Sequence, residues 1–546
     1  MAATGADDGP AQEAARLIVE GDPVRALDLL GAAFARRPAR SDLLALMAEA
    51  HLRLGRPAAV LACRRAACAL DPTPDRRADL ALALHDCSRL DDARAEAGAA
   101  VAAAGGSHYA GETVLALAAI AEGRPAEAET ALRRLTARHP GQAPAFGHLG
   151  TLLWAGGDGD GAEAALTRCL QLAPGLDAAA AALGLIRLAR GRLAEGWDLY
   201  RRRHVSRRRQ TPAHPLPARL DGRTVFVEGE QGLGDELFFL RFAARLAARG
   251  ARVVYRPAAK LAGLAARLPF LAEIAAPEQP ADGAHVVWAG DLPWLLGEPG
   301  PLPPVPLAPP PDRTAALRDR LAAFSTRPLV GVTWRAGTQQ VGRLSKALAP
   351  EGLAAALAPL PCDVVILQRK PESGEVDRFA AALGRPVLDL SDANDDLDTM
   401  LALLSLLDDH VAVSNTNLHL AAALGRPARL LLPHPPEFRW MERGDRSPWF
   451  PGMVLYRQEA GGTWRPALAA LAADLGGGAR GPDRLGAAVA LRDAGRPAEA
   501  EAACRALLEE NPDDSGALHL LAAILLSDRR PAEAVAPLTR LAAIAP

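Results

Sequence analysis

The glycines of this chain keep a regular beat. Gly21, Gly55, Gly123, Gly157 and Gly191 lie on one 34-residue lattice, with Arg89 in the slot that lacks a glycine. Prolines hold a parallel beat at Pro38, Pro72, Pro140 and Pro174, and phrases recur in register, among them "GRPAAVLACRRAACALDP" and "GRPAEAETALRRLTARHP". The spacing predicts two amphipathic helices per unit, a glycine in the turn between them and a proline ending the second. One such hairpin cannot bury its own apolar face, so neighbours must stack into a curved array with a concave groove. The beat stops near Arg203 and returns as "GRPAEAEAACRALLEENP" (Gly495–Pro512) and "RRPAEAVAPLTRLAAIAP" (Arg529–Pro546). Five to six units are expected before a middle region and about two after it. The last apolar face needs a cover, and a homo-oligomer contact through the C-terminal repeats is one way to supply it.

A 34-residue helical hairpin of this layout resembles the tetratricopeptide repeat. The resemblance implies an array over residues 11–204, after a disordered start (1–10), that takes a protein or peptide in its groove; the plainer alternative is a structural or dimerising scaffold. The arginine-rich run "RRRHVSRRRQ" (Arg201–Gln210) reads as a solvated helix end leading into a linker (205–223). With 546 residues, a net charge of −2 and a pI near 6.7, the chain carries no global field for nucleic acid or anionic lipid. No apolar run reaches the ~18 residues of a membrane span, and the acidic N-terminus lacks a secretory layout, so a cytoplasmic location is expected. Six scattered cysteines without a CxxC pair read as small buried hydrophobes.

From Thr224 the texture changes to short apolar strands alternating with helices, which predicts parallel sheets covered on both faces. Strands are expected at Thr224–Glu228, Arg252–Tyr255, His285–Trp288, Leu329–Trp334, Asp363–Gln368, His410–Ser414 and Arg429–Leu432. The proline-rich connector 299–311 divides a first half (224–298) from a second (312–475), and a linker (476–484) leads to the C-terminal repeats (485–546). Two doubly wound halves place a cleft at the carboxyl ends of their strands.

Polar residues gather where those ends should be. After the first strand, Gly232 and Gly234 allow close backbone approach, and Asp235 either caps the next helix or faces the cleft as a general base. In the second half, Thr333, Trp334 and Arg335 follow one strand, Arg343, Ser345 and Lys346 precede a helix, and Gln368 and Arg369 end another strand. Ser414, Asn415, Thr416 and Asn417 sit between a strand and a short helix that carries His419. In a parallel sheet these loops emerge on one face, where the cations and a helix N-terminus suit a phosphate.

"EGEQGLGDELFFLRF", "DDLDTMLALLSLLDDHVAVSNTNLHLAAALGRP" and "PEFRWMERGDRSPWFPGMVLYRQ" resemble bacterial tetratricopeptide proteins carrying a heptosyltransferase-like (family 9) glycosyltransferase domain, and "GRLAEGWDLYRRRH" resembles the stretch that leads into it. The resemblance implies an α-solenoid joined to an α/β GT-B domain of two Rossmann-like halves. It implies a nucleotide sugar as co-substrate, with neither metal ion nor other cofactor. Asp235 matches the family's base, Lys346 lies near its donor-phosphate position, and Thr416 and His419 match its nucleotide-sugar turn. Asn415 stands where the family usually has Asp, and Arg335 is inserted in its "WAG" ("WRAG" here). The function so implied is inverting transfer of a sugar to a Ser or Thr hydroxyl of a protein held by the repeats, with flagellin or another exported protein as acceptor. Its rivals are a non-catalytic adaptor with a degenerate GT-B domain and an enzyme with a lipid or polysaccharide acceptor.

Overall fold

The computed structural model describes residues 9–203, 215–281, 283–297, 300–336, 346–450, 452–477, 484–493, 495–510, 512 and 514–544. The start of the expected N-terminal tail, the stretch 204–214, the segment 478–483, and Arg343 and Ser345 lie outside the described residues. The chain forms two compact units, 1–179 and 180–546.

Five helical hairpins build the first unit: Gly9–Glu20 with Pro23–Arg36, Ser41–Arg53 with Pro57–Leu70, Pro74–Asp86 with Leu90–Ala103, Tyr109–Ala121 with Pro125–Arg138, and Ala143–Gly156 with Gly159–Leu172. The residue five after a lattice glycine is buried between the two helices, an alanine in three hairpins (Ala26, Ala128, Ala162) and Val60 in the second. The lattice glycines adopt positive φ, as at Gly21 (90°) and Gly123 (74°). The third hairpin explains its missing glycine. Its first helix stops early, so Ser88 takes the left-handed turn (φ 59°) and Arg89 becomes the N-cap of the following helix.

The second unit starts with a sixth hairpin, whose second helix is Leu193–Tyr200, and continues into two wholly parallel sheets. In the first sheet β1 (Thr224–Glu228), β2 (Arg252–Arg256), β3 (Glu273–Ile274) and β4 (His285–Trp288) take the order β3-β2-β1-β4. In the second, β5 (Leu329–Thr333), β6 (Asp363–Ile366), β7 (Leu388–Asp389), β8 (Asp409–Val413), β9 (Ala428–Leu432) and β10 (Met453–Arg457) take the order β10-β9-β8-β5-β6-β7. All seven expected strands are present to within two residues at either end; β3, β7 and β10 are additional. β5 and β9 are buried along their whole length, as strands covered on both faces must be. The order reverses between β1 and β4 in one sheet and between β5 and β8 in the other, which leaves a crevice at each reversal. Two more hairpins, Arg484–Asp493 with Pro497–Glu510 and Ser515–Ser527 with Pro531–Ile544, close around Ala488, Leu491, Ala500 and Leu521. Among the described residues no helix is long and apolar enough to cross a membrane.

Candidate functional site

The loops that leave β1, β5, β6 and β8 at those reversals line one cavity of about 320 Å³. After β1 the chain turns through Gly232, the N-cap of the helix Leu233–Ala248. Asp235 is the third residue of that helix, not its N-cap, and its Oδ2 accepts the Gly232 N–H at 3.3 Å. Capping and facing the cavity are thus compatible, since Asp235 also lines it. Its Oδ1 accepts from Nη2 of Arg439, a buried side chain on the turn Phe438–Trp440. Nη1 of Arg439 lies 3.3 Å from His419 Nε2. A guanidinium only donates, so Nε2 is the bare nitrogen and Nδ1 carries the proton. Burial, reinforced by the charges of Arg439 and Arg241, holds His419 well below the ordinary imidazole range, so it is neutral. Gly234 has a steric reason: a Cβ there would stand 3.1 Å from His419 Cδ2. At Gly232 an added Cβ meets only ordinary contact, 3.5 Å from Asp235.

The second sheet divides its expected residues between wall and core. Thr333, Arg335, Lys346, Ser414, Asn415, Thr416, Asn417 and His419 line the cavity together with Gly232, Gly234 and Asp235. Trp334 and Gln368 do not, which corrects the sequence reading. Trp334 is fully buried, stacks on Phe379 (centroids 5.2 Å apart) and donates its indole N–H to Glu375 at 2.6 Å. Gln368 is also fully buried. Its Oε1 accepts the N–H groups of Trp334 and Arg335, and its Nε2 donates to the carbonyls of Arg335 and Arg369. It staples the loop after β5 to the loop after β6, leaving no group for a ligand.

Arg335 is held from below by Glu375, with Nη2 2.9 Å from Oε2. Asn415 is the N-cap of the helix Thr416–Ala423, accepting the Leu418 N–H at 3.2 Å. An aspartate would cap equally well and would add a negative charge to the cavity wall. Asn417 donates to Asn394 Oδ1 at 3.2 Å. Lys346 Nζ reaches Glu437 Oε1 at 2.8 Å, while Oε2 of the same carboxylate takes the Ser414 hydroxyl. Burial pushes the Glu437 carboxyl up. The charges of Lys346 and Arg439, with hydrogen bonds from Lys346 and Ser414, outweigh it and hold the group down to about 2.

Glu437, Arg439 and Asn394 also line the cavity and were not among the expected site residues; Arg369, expected after β6, lines it too. The signal for the first two was the polar run "PEFRWMERGDR" shortly after β9; what it lacked was any local cue that the run folds back over the loop after β8. The described lining thus carries four cations (Arg335, Lys346, Arg369, Arg439), two carboxylates (Asp235, Glu437) and the starts of two helices. Helix starts and guanidinium groups bind anionic oxygen, and carboxylates accept from hydroxyls. This chemistry suits a ligand carrying both phosphate and hydroxyl groups.

The loop bearing the site is pinned from behind by the sixth hairpin. Arg203 donates to Glu230 through Nε and Nη2 and to Asp291 Oδ1 at 2.8 Å, and all three side chains are buried. Gln231 donates to the Tyr200 hydroxyl at 2.8 Å. Trp197 packs edge-on against Phe239, Phe242, Phe438 and Trp449, so one helix touches both the Asp235 helix and the Arg439 turn.

Fold and site together define a protein whose sequence places tetratricopeptide repeats before and after two parallel sheets with a polar cavity at their strand ends. The family model described as "Tetratricopeptide repeat" matches residues 113–177 and 485–546. Among curated proteins the chain is similar to Protein FlbA of Caulobacter vibrioides, strain ATCC 19089 / CIP 103742 / CB 15, at 27% identity over 322 residues. That match covers 53% of each chain, so this chain spans about half the length of the relative. Among solved structures it is similar to PilW, a type IV pilus biogenesis factor (18% identity, TM-score 0.31, covering 36% of this chain and 91% of that one). It is also similar to a tetratricopeptide protein of Thermus thermophilus (22% identity, TM-score 0.30, 33% and 99% covered).

Proposed function

We propose that the second unit is a GT-B glycosyltransferase that moves a sugar from a nucleotide-sugar donor to a hydroxyl of a protein captured by the repeats. The observation that carries this reading is the convergence of four cations, two carboxylates and two helix starts on one cavity at the reversal points of two parallel sheets. Asp235 serves as base: each of its oxygens has one partner, Arg439 or the Gly232 amide, and keeps a lone pair for the acceptor hydroxyl. Lys346, Arg335 and the amides at the start of the helix Thr416–Ala423 stabilise the departing phosphate. Attack and departure from opposite sides invert the anomeric centre. The acceptor is a Ser or Thr of flagellin or another exported protein, modified in the cytoplasm before export.

Asp235→Asn keeps one acceptor oxygen, enough for the cap or for the contact to Arg439 but not for both, and cannot take a proton. Sugar transfer to an acceptor protein, followed by mass spectrometry, should fall by about 10²–10⁴-fold; full activity removes Asp235 as base. A second reading, a non-catalytic adaptor, is favoured by the loss of the family's carboxylate at Asn415. It predicts no thermal stabilisation by any nucleotide sugar, whereas the enzyme is stabilised by its donor.

A further inference from the structure

Arg335, Lys346 and Arg439 already have counter-ions. Glu375 neutralises Arg335 from beneath, whereas Asp235 and Glu437, the partners of Arg439 and Lys346, line the cavity themselves. Glu437 is the more firmly built in. Oε1 accepts from Lys346 Nζ at 2.8 Å, and Oε2 accepts from Ser414 Oγ and from Trp440 Nε1 at 3.3 Å. The Trp440 ring is fully buried, and its N–H also donates to Ser414 Oγ at 3.0 Å. The carboxylate therefore has little freedom to swing away from Lys346. Both members keep a face toward the cavity, with side-chain exposures of 27% for Lys346 and 24% for Glu437.

An ammonium has three donors, so Lys346 can hold Glu437 and still offer hydrogen bonds to a ligand. A phosphate arriving there meets an anion fixed beside the cation that attracts it. A bare anion loses by this arrangement. A phosphate ester whose neighbouring hydroxyl donates to the carboxylate does not.

We propose that Glu437 is a built-in counter-anion that holds Lys346 in place until a ligand arrives and competes with ligand phosphate for it, so that the pair selects hydroxyl-bearing phosphate esters over bare phosphate anions. This rests on the reading that the cavity takes a phosphate, but its test makes no use of transfer activity. Inorganic pyrophosphate is titrated calorimetrically into the full chain at low ionic strength, for the wild type, Glu437→Gln, Lys346→Met and the double variant. Gln can still accept from Ser414 and Trp440, so the wall stays shaped while its charge is lost. Glu437→Gln is expected to bind pyrophosphate at least about tenfold more tightly than the wild type, and the gain should vanish in the Lys346→Met background. Equal or weaker binding by Glu437→Gln, no binding by either protein, or a gain that survives without Lys346 overturns the proposal. If Glu437→Gln does not fold, Glu437→Asp replaces it; its shortened carboxylate reaches Lys346 less well, so tighter binding is again expected and unchanged affinity overturns. A chain that behaves as expected here yet transfers no sugar refutes the transferase reading and leaves this inference standing.

Discussion

His410 lies on β8, fully inside the second sheet, and among the described residues neither ring nitrogen has a hydrogen-bond partner. Burial alone pushes its imidazole down from 6.5 to about 4. The sign follows from linkage. Between pH 6.5 and 4 the unfolded chain takes up a proton that the folded chain refuses, so the contribution of this residue is complete above about 6.5 and is lost as pH falls toward 4. The full shift corresponds to about 3 kcal/mol. His410→Leu should therefore flatten the acid limb of the stability curve. Urea unfolding at pH 7 and pH 4.5 should show the variant gaining on the wild type as pH falls; parallel losses in both proteins would show that His410 does not titrate. His419, also held neutral by burial, adds to the same limb and remains in the variant.

At the scale of an element, the start of the helix Leu233–Ala248 sets two rules against each other. Helix propensity favours Ala over Gly at position 234 by about 0.5–1 kcal/mol. Packing opposes it, because an added Cβ lies 3.1 Å from His419, and that ring is wedged edge-on against Phe450 at 5.2 Å. Gly234→Ala should destabilise by about 1–2 kcal/mol by overpacking, and in a His419→Ala background the same change should become neutral or stabilising. A double-mutant cycle in denaturant checks this reversal of sign. Elements of this kind were the legible part of the chain. The repeats show because a helical hairpin has a fixed length, and seven of the ten strands show as short apolar runs, whereas the two-residue β3 and β7, and β10, did not. The glycine and polar residues at strand ends show because they interrupt the apolar runs. The illegible part was pairing at a distance. Trp334 and Arg335 are neighbours at the end of β5, and only the tertiary fold sends one into the core against Phe379 and the other to the cavity. Glu437 and Arg439 meet Lys346 and Asp235 across 91 and 204 residues. The empty slot at Arg89 was visible as an irregularity; its cause, a helix that ends early so that Ser88 makes the turn, was not.

At the scale of the whole second unit, the sixth hairpin carries the sequence of a repeat and is a structural part of the sheet unit. Its sequence keeps the 34-residue beat, yet Trp197, Tyr200 and Arg203 are buried against the sheets and not exposed on a repeat surface. Repeats need small residues where helices meet, so a Trp, a Tyr and an Arg gathered in "GWDLYRRR" mark where stacking gives way to a different interface. The Arg203 cluster is the most sensitive point of that interface. Burial pushes the Glu230 carboxyl up, and Arg203 opposes that shift by charge and hydrogen bonding. Arg203→Met would leave Glu230 as a buried carboxylate without its cation, at a cost of about 3–5 kcal/mol. The pH dependence identifies the cause. With the cation gone, the folded-state pKa of Glu230 moves further above its unfolded value, so the variant should lose stability as pH rises through that pKa and regain part of it on acidification. Adding Glu230→Gln to Arg203→Met removes the charge that needs compensation and should restore part of the loss at pH 8, with little effect at pH 5. Thermal unfolding of the wild type, the single variant and the double variant at both pH values tests this. A loss equal at both pH values and untouched by Glu230→Gln would mean that Arg203 acts through packing against Tyr200 and not through its charge.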